Sequence, residues 1–335
     1  MRAAVMQGLH KPLAIETLPD PTPGEGELVV KVGRCGICGS DLHMTEDPGY
    51  GMGAGDVLGH EFAGEVVALG RGVEGVRMGD LVSVIPLMSC GHCAACRAGD
   101  LAWCDSFGLQ GGGYADYALT RPNQCVILPR SVSLADGAIV EPLAVALHGV
   151  SLSGIKPGDK VLVLGAGPIG LAVAFWARRA GAAKVVMQDI ATHQRERALE
   201  MGATDFVVDR EDPVGASTRA LGGLADIVFE CVGVPGLIAQ AVGQVRGRGA
   251  IVLLGLCNQP DTFNSFAMLS KEIRLITSAF FTRGEYETAL DALDRGAAEP
   301  RALVTQTVSL TDTPATFEAL KQRTHQCKVL IAPGD

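Results

Sequence analysis

The chain has 335 residues, 47% of them hydrophobic, and its 28 Lys+Arg against 37 Asp+Glu leave a net charge of −9. At roughly 100–200 residues per domain this length suggests two domains and is ample for a core, and an acidic balance without a basic block excludes nucleic acid and anionic membranes as partners. Glycine, with 43 residues, sits among apolar runs such as Val161-Leu164 and Ile251-Leu254, so it marks tight turns and close backbone approaches and not low complexity.

Met1 to Met6 reads as a short alternating strand and lacks the apolar stretch of an export signal. Val29-Val32, Gly64-Leu69, Asp80-Ile85 and Tyr114-Leu119 are short β-prone runs bounded by Gly, Pro or Asp. From about Val150 to Phe280 apolar strands alternate with helical runs. Strands are predicted over Lys160-Leu164, Lys184-Gln188, Asp205-Val208, Ala225-Phe229, Gly249-Leu254 and Ile273-Thr277, with helices such as Ile169-Ala180 and His193-Met201 between them. Repeated βα units imply a mostly parallel sheet covered on both faces. The longest charge-free apolar stretch, Val161 to Ala177, carries Gly165, Gly167, Pro168 and Gly170, so it reads as strand, turn and helix and not as a membrane span. A helix over Glu285-Arg295 and a few short segments finish the chain. Ten cysteines without an export signal point to thiols or metal ligands and to a cytoplasmic protein.

Val161-Leu164 runs directly into Gly165-Ala-Gly167-Pro168-Ile169-Gly170 and then a helix. In such a turn Gly165 makes the bend, Gly167 lets the backbone approach a pyrophosphate, and Gly170 lets helix and strand pack closely. The helix N-terminus faces the anion, and Pro168 suits the first helical turn. The next strand ends at Asp189, 24 residues after Gly165, where a carboxylate accepts from a ribose and repels a 2′-phosphate. This favours NAD over NADP, although Arg195 and Arg197 follow closely enough to suggest a phosphate clamp.

Cys90, Cys93, Cys96 and Cys104 form C-x2-C-x2-C-x7-C. Four thiolates so close can close a tetrahedron around Zn(II) with no open position, so this zinc is expected to be structural. A disulfide loop and an Fe–S cluster are the alternatives. His92 lies inside the run but reads as an exposed loop residue. Elsewhere Cys38, the His60-Glu61 pair and Glu141 offer S, N and O donors on three segments, as a catalytic zinc with an open position requires. Cys35 and Cys38 also form a C-x-x-C, but the motif does not open a helix in a thioredoxin-like unit.

With these motifs the sequence resembles the zinc-containing medium-chain dehydrogenases/reductases, in the branch of sorbitol, threonine and butanediol dehydrogenases. The resemblance spans essentially the whole chain through Gly36-Ile-Cys38-Gly-Ser40-Asp41-Leu-His43, Gly59-His60-Glu61, the four-cysteine lobe, Glu141-Pro-Leu-Ala, Gly165-x-Gly167-x-x-Gly170 and Glu230-Cys-Val-Gly233. It implies an α/β protein with a GroES-like, mostly β catalytic domain over residues 1–149 and 281–335, its zinc lobe at about 88–106, and an inserted Rossmann domain over 150–280. It places the active site in the cleft between them. It makes Cys38 and His60 ligands of a catalytic zinc, with Glu61, Glu141 and water sharing the remaining positions. Ser40 would be the hydroxyl that meets the reacting alcohol and His43 the far end of a proton relay. Gly165 to Gly170, Asp189, Val232-Gly233, Leu254 to Leu256 and Ala279-Phe280 would contact the cofactor.

The implied activity is reversible hydride transfer between NAD and a small alcohol, with two zinc ions per chain and a homotetrameric assembly. A polyol, sugar-alcohol or threonine dehydrogenase and an NADP-linked carbonyl reductase are the alternatives, and a nucleotide-binding protein without turnover is the non-enzyme reading. Polyol-specific members carry an arginine near Phe280. Here Thr277-Ser-Ala-Phe280-Phe281, together with Met44, suggests an apolar pocket suited to a secondary alcohol or vicinal diol.

Overall fold

A computed structural model describes residues 1–322 and 325–334. The chain divides into two compact units, one of Met1–Glu141, Thr282–Ala297 and the segment from Val304 onward, the other of Pro142–Phe281 and Ala298–Leu303.

The first unit is built on a seven-stranded sheet. Its order is Val304–Ser309, Lys328–Ala332, Leu28–Gly36, Glu61–Leu69, Leu81–Val84, Cys125–Ile127, and Tyr117–Thr120 pairs with the N-terminal half of Leu28–Gly36. Antiparallel strands with one face on a core should alternate, and Leu28, Val30 and Val32 do so, each at most 1% exposed while Lys31 points out. They meet Phe62, Val82, Tyr114, Phe317 and Ile331 in one apolar cluster. The sheet joins the two chain ends, because Leu28–Gly36 takes its C-terminal partner from Lys328–Ala332.

The second unit is a six-stranded, wholly parallel sheet in the order Asp205–Val207, Lys184–Gln188, Lys160–Leu164, Ala225–Glu230, Val245–Leu253, Arg274–Thr277. In chain order this is third, second, first, fourth, fifth, sixth, the order of a doubly wound dinucleotide-binding sheet. Its inner strands carry continuous apolar runs because helices cover both faces, and Val161, Leu162 and Val163 are fully buried, whereas the edge strand Arg274–Thr277 is mostly exposed.

The division differs in detail from the change of pattern at Gly149/Val150. The helix Val140–Ser153 spans that point, and all but its first two residues belong to the second unit, where Trp176 Nε1 donates to Leu143 O at 2.8 Å. A methyl group at Gly149 would come within 2.7 Å of Leu254, so the helix lies close upon the neighbouring strand. The short 3-10 turn Glu299–Leu303 also joins the second unit, held where Arg197 Nε donates to Ala302 O at 2.7 Å. The strand expected over Tyr114-Leu119 is Tyr117–Thr120, since Tyr114 and Ala115 turn inward to the core, and the strand expected from Gly249 begins at Val245. Among the described residues no helix is long and apolar enough to cross a membrane.

Candidate active site and metal centres

Cys38 closes the turn after the strand Leu28–Gly36 and is the N-cap of the short helix Gly39–Met44. The helix starts there because Asp41 reaches back to accept from Cys38 N at 3.0 Å, a capping box in all but the donor's identity. Asp41 is fully buried; the oxygen that caps Cys38 N, Oδ2, also accepts from Tyr114 OH at 2.6 Å, while Oδ1 accepts from His60 Nδ1 at 3.2 Å. With Nδ1 committed to Asp41, His60 presents Nε2 as the free nitrogen, 3.4 Å from Ser40 Oγ.

Electrostatics match this arrangement. Burial by itself would lower the His60 pKa, but Asp41 and the Cys38 sulfur outweigh it and hold His60 well above its ordinary 6.5. Burial would raise Asp41, and His60 with the hydrogen bonds from His60, Tyr114 and Cys38 N outweighs it, leaving the carboxyl below its ordinary 3.8.

The ligand atoms of Cys38, His60 and Glu61 lie within 4.8 Å of one another. A thiolate, an imidazole nitrogen with its partner nitrogen anchored, and a carboxylate form a three-donor set that leaves one tetrahedral position open. Glu61 adds a sign of fit: its Oε2 is buried and receives no hydrogen bond, although the Lys328 ammonium lies 2.7 Å away. Glu141, in the first turn of Val140–Ser153, is buried but is not drawn into this group. Burial pushes its carboxyl up to about 7, with His60 opposing and Glu61 adding to the rise.

Cys90, Cys93, Cys96 and Cys104 likewise gather within 4.8 Å. The hairpin Leu87–Met88/Gly108–Leu109 brings the ends of this lobe together, and Cys93 caps the helix Ala94–Ala98. Cys90 and Cys96 sulfurs stand 3.9 Å apart, near the ~3.8 Å edge of a tetrahedron with metal–sulfur bonds of about 2.3 Å and far from a disulfide at ~2.0 Å. The sulfurs accept from Cys90 N, Cys93 N, Cys96 N and Ser106 N at 3.2–3.5 Å. N–H donors from Cys96 and Asp105 pull the Cys93 thiol down to about 6, while burial and the other sulfurs push Cys96 up to about 11. His92 is exposed and bonds back to Cys90 O.

At the glycine turn each position has a separate reason. Gly165 has φ +94°, and a methyl group at Gly170 would sit 2.0 Å from Gly165 O, so both glycines are required by the protein itself. Gly167 meets nothing within 4 Å: it caps the helix Pro168–Arg179 and leaves open space that a phosphate can approach. Ile169 follows Pro168 in the first turn, and both are half-buried. Asp189 accepts from Ala166 N and Ile190 N, each at 2.7 Å, which fixes its carboxylate beside this turn. Val232-Gly233, Leu254 to Leu256 and Ala279-Phe280 follow the C-terminal ends of three adjacent parallel strands, at the same end of the sheet as Gly165. Val232 and Leu256 are exposed, while Phe280 is held at φ +59°, a conformation costly for a bulky residue.

One reading from sequence changes, that of Met44, and the setting aside of Cys35 as a redox partner stands. Met44 is 7% exposed and packs into the core of the first unit, so it does not shape a substrate pocket; the helix that carries His43 outward turns Met44 inward. Cys35 is a fully buried thiol whose pKa burial raises well above the ordinary value, so it is inert core beside Cys38 and not half of a redox pair. Sequence reasoning missed the orienting role of Asp41 with Tyr114, and missed Lys328 altogether.

Comparisons with known proteins give the family and the fold. The family model of the alcohol dehydrogenase GroES-like domain matches residues 24–130, and that of the zinc-binding dehydrogenases matches 168–295. The sorbitol dehydrogenase of Halalkalibacterium halodurans is 34% identical over 96% of each chain. The crystal structure of 2R,3R-butanediol dehydrogenase from Bacillus subtilis superposes with a TM-score of 0.89 at 30% identity, covering 99% of each chain. An alcohol dehydrogenase of Escherichia coli CFT073, complexed with NADH, does so with a TM-score of 0.91 at 29% identity and 99% coverage of both. The chain belongs to the zinc-binding medium-chain dehydrogenases of the alcohol dehydrogenase family, with a GroES-like and a Rossmann fold. It is an NAD(P)-dependent oxidoreductase that uses zinc.

Proposed function

We propose that the chain oxidises the secondary hydroxyl of a small aliphatic alcohol or vicinal diol with NAD, and reduces the ketone in reverse. The observation that carries the reading is the convergence of Cys38, His60 and Glu61 within 4.8 Å, with His60 oriented through Nδ1 by Asp41. These three residues hold the catalytic zinc, with Glu141 in reserve, and Cys90, Cys93, Cys96 and Cys104 hold a structural one. When bound, the zinc supplies Lewis acidity that favours alkoxide over alcohol, and the nicotinamide supplies the hydride acceptor. Ser40 Oγ accepts the proton of the substrate hydroxyl as it gives up its own, and His43, exposed three residues further on, delivers that proton to solvent. The turn Gly165 to Gly170 takes the pyrophosphate, Asp189 the adenosine ribose, and Val232, Leu254, Ala279 and Phe280 the rest of the cofactor.

Phe280 in place of arginine favours an apolar substituent, as in butanediol, over a hydroxylated sugar chain. A polyol substrate is the second reading, favoured by the sorbitol dehydrogenase relative. The protein acts in the cytoplasm as a homotetramer; self-association, though not the copy number or the compartment, is supported by Phe266 and Leu269, each 71% exposed beside the edge strand Arg274–Thr277. Light scattering coupled to gel filtration tests it. For the catalytic assignment the test is Cys38→Ser: zinc falls from two per chain to one and turnover drops on the order of a thousandfold. Two zinc ions retained with full turnover would refute the assignment.

A further inference from the structure

Lys328 opens the strand Lys328–Ala332, every residue of which is buried, at a position where a sheet core calls for an aliphatic side chain. Its residue is 1% exposed, Nζ lies 2.7 Å from both oxygens of Glu61, and it also donates to Ile37 O at 3.1 Å. Burying an ammonium is costly even when it is paired, and two well-packed apolar residues usually serve stability as well or better. The hydrogen bond goes to Glu61 Oε1, and Oε2 is left buried without one. Glu61 is thus ion-paired through both oxygens to Lys328 and also lies within 4.8 Å of the Cys38 and His60 ligand atoms, so a metal held there would share this carboxylate with Lys328.

We propose that Lys328 is a positioning residue that competes for the charge of Glu61 and keeps it an exchangeable ligand, so that this coordination position can pass to substrate while Cys38 and His60 stay fixed. The inference rests on the ligand set proposed above. A residue that only balanced a buried charge would affect folding but not how readily Glu61 leaves the metal.

The test uses the full-length protein reconstituted with Co(II), whose visible spectrum reports the catalytic site; the closed four-cysteine site does not respond to added ligands. Imidazole is the competing probe. Lys328→Met is expected to raise the imidazole concentration that shifts the cobalt bands by about tenfold or more, the scale of residues that orient metal ligands, and to tighten cobalt binding in chelator competition. Lys328→Gln, which keeps a donor without the charge, moves both readouts the same way by less and serves should the methionine variant fail to fold. Lys328→Arg, which keeps the charge, stays near wild type. In a Glu61→Gln background Lys328→Met changes neither readout by more than about twofold, because the coupling runs through Glu61. The proposal is overturned if both neutral variants leave the imidazole midpoint unchanged, or if the effect persists undiminished in Glu61→Gln. A Glu61→Gln protein whose cobalt spectrum and affinity match wild type would instead remove Glu61 from the ligand set, and the failure would lie in the underlying reading.

Discussion

Asp189 accepts backbone N–H groups from Ala166, Ile190 and Ala191 and so is held beside the phosphate turn. Arg195, which from sequence could have clamped a 2′-phosphate, is parked over the Phe206 ring with its guanidinium 5.3 Å from the centroid. Asp189→Asn keeps an acceptor for those N–H groups and removes the repulsion. It should therefore shift the ratio of kcat/KM for NADP over NAD upward by about tenfold or more. An unchanged ratio in parallel steady-state assays would take the discrimination away from Asp189. Residues of this kind were legible in the sequence because their partners are local: Cys38, Ser40 and His43 share six positions, and His60 and Glu61 are adjacent. Lys328 was not, since its partner Glu61 is 267 residues away and only the sheet brings them together. Tyr114 meets Asp41 across 73 residues for the same reason. Met44 misled because its exposure depends on which face of a six-residue helix meets the core.

Among the elements, the cysteine lobe is made of short pieces, and its helix Ala94–Ala98 buries no residue. It rests on a two-residue hairpin, a five-residue helix and four sulfurs. Cys96→Ser should release one zinc and open the lobe to limited proteolysis near Arg97, with a stability loss on the order of a few kcal/mol, because binding free energy in such a site is folding free energy. A variant that keeps two zinc ions and resists protease like wild type would contradict a structural metal there. In the parallel sheet, Asp226 joins three strands: it accepts from Lys160 N at 2.7 Å and from Arg246 Nε, and is itself the second residue of the strand between them. Burial would raise its pKa, but these donors outweigh that and lower it from 3.8. A carboxylate with a depressed folded-state pKa stabilises the fold above its unfolded pKa, and that contribution is lost as pH falls through the folded value. Asp226→Asn should thus cost about 1 kcal/mol near neutrality, discounted because Arg246 is half exposed, and the gap to wild type should close below pH ~4. Urea unfolding at several pH values measures it, and a gap independent of pH would mean the carboxylate's charge plays no part. Strand positions in this sheet were readable from continuous apolar runs, which fall exactly once per βα unit. The edges of the units were not, because the helix Val140–Ser153 carries the same apolar character on both sides of Glu141.

For the molecule as a whole, the order of motifs along the chain announced both folds, since each depends on local spacing repeated in sequence. The joining of the chain's ends was expected only through the family resemblance. The contacts that accomplish it, Arg2 to Pro333 O and the strand pairing at Cys35–Gly36 with Leu330–Ile331, have no local signature. The account stands on a zinc-dependent, NAD-linked oxidation at a secondary hydroxyl. Its most direct test is nicotinamide absorbance with NAD, then NADP, over aliphatic secondary alcohols, vicinal diols, polyols and primary alcohols, before chelation, after chelation and after zinc is restored. The account predicts turnover of aliphatic secondary alcohols or vicinal diols with NAD, lost on chelation and recovered with zinc. Turnover that survives removal of the catalytic zinc, or none across the panel from protein carrying two zinc ions per chain, would contradict it.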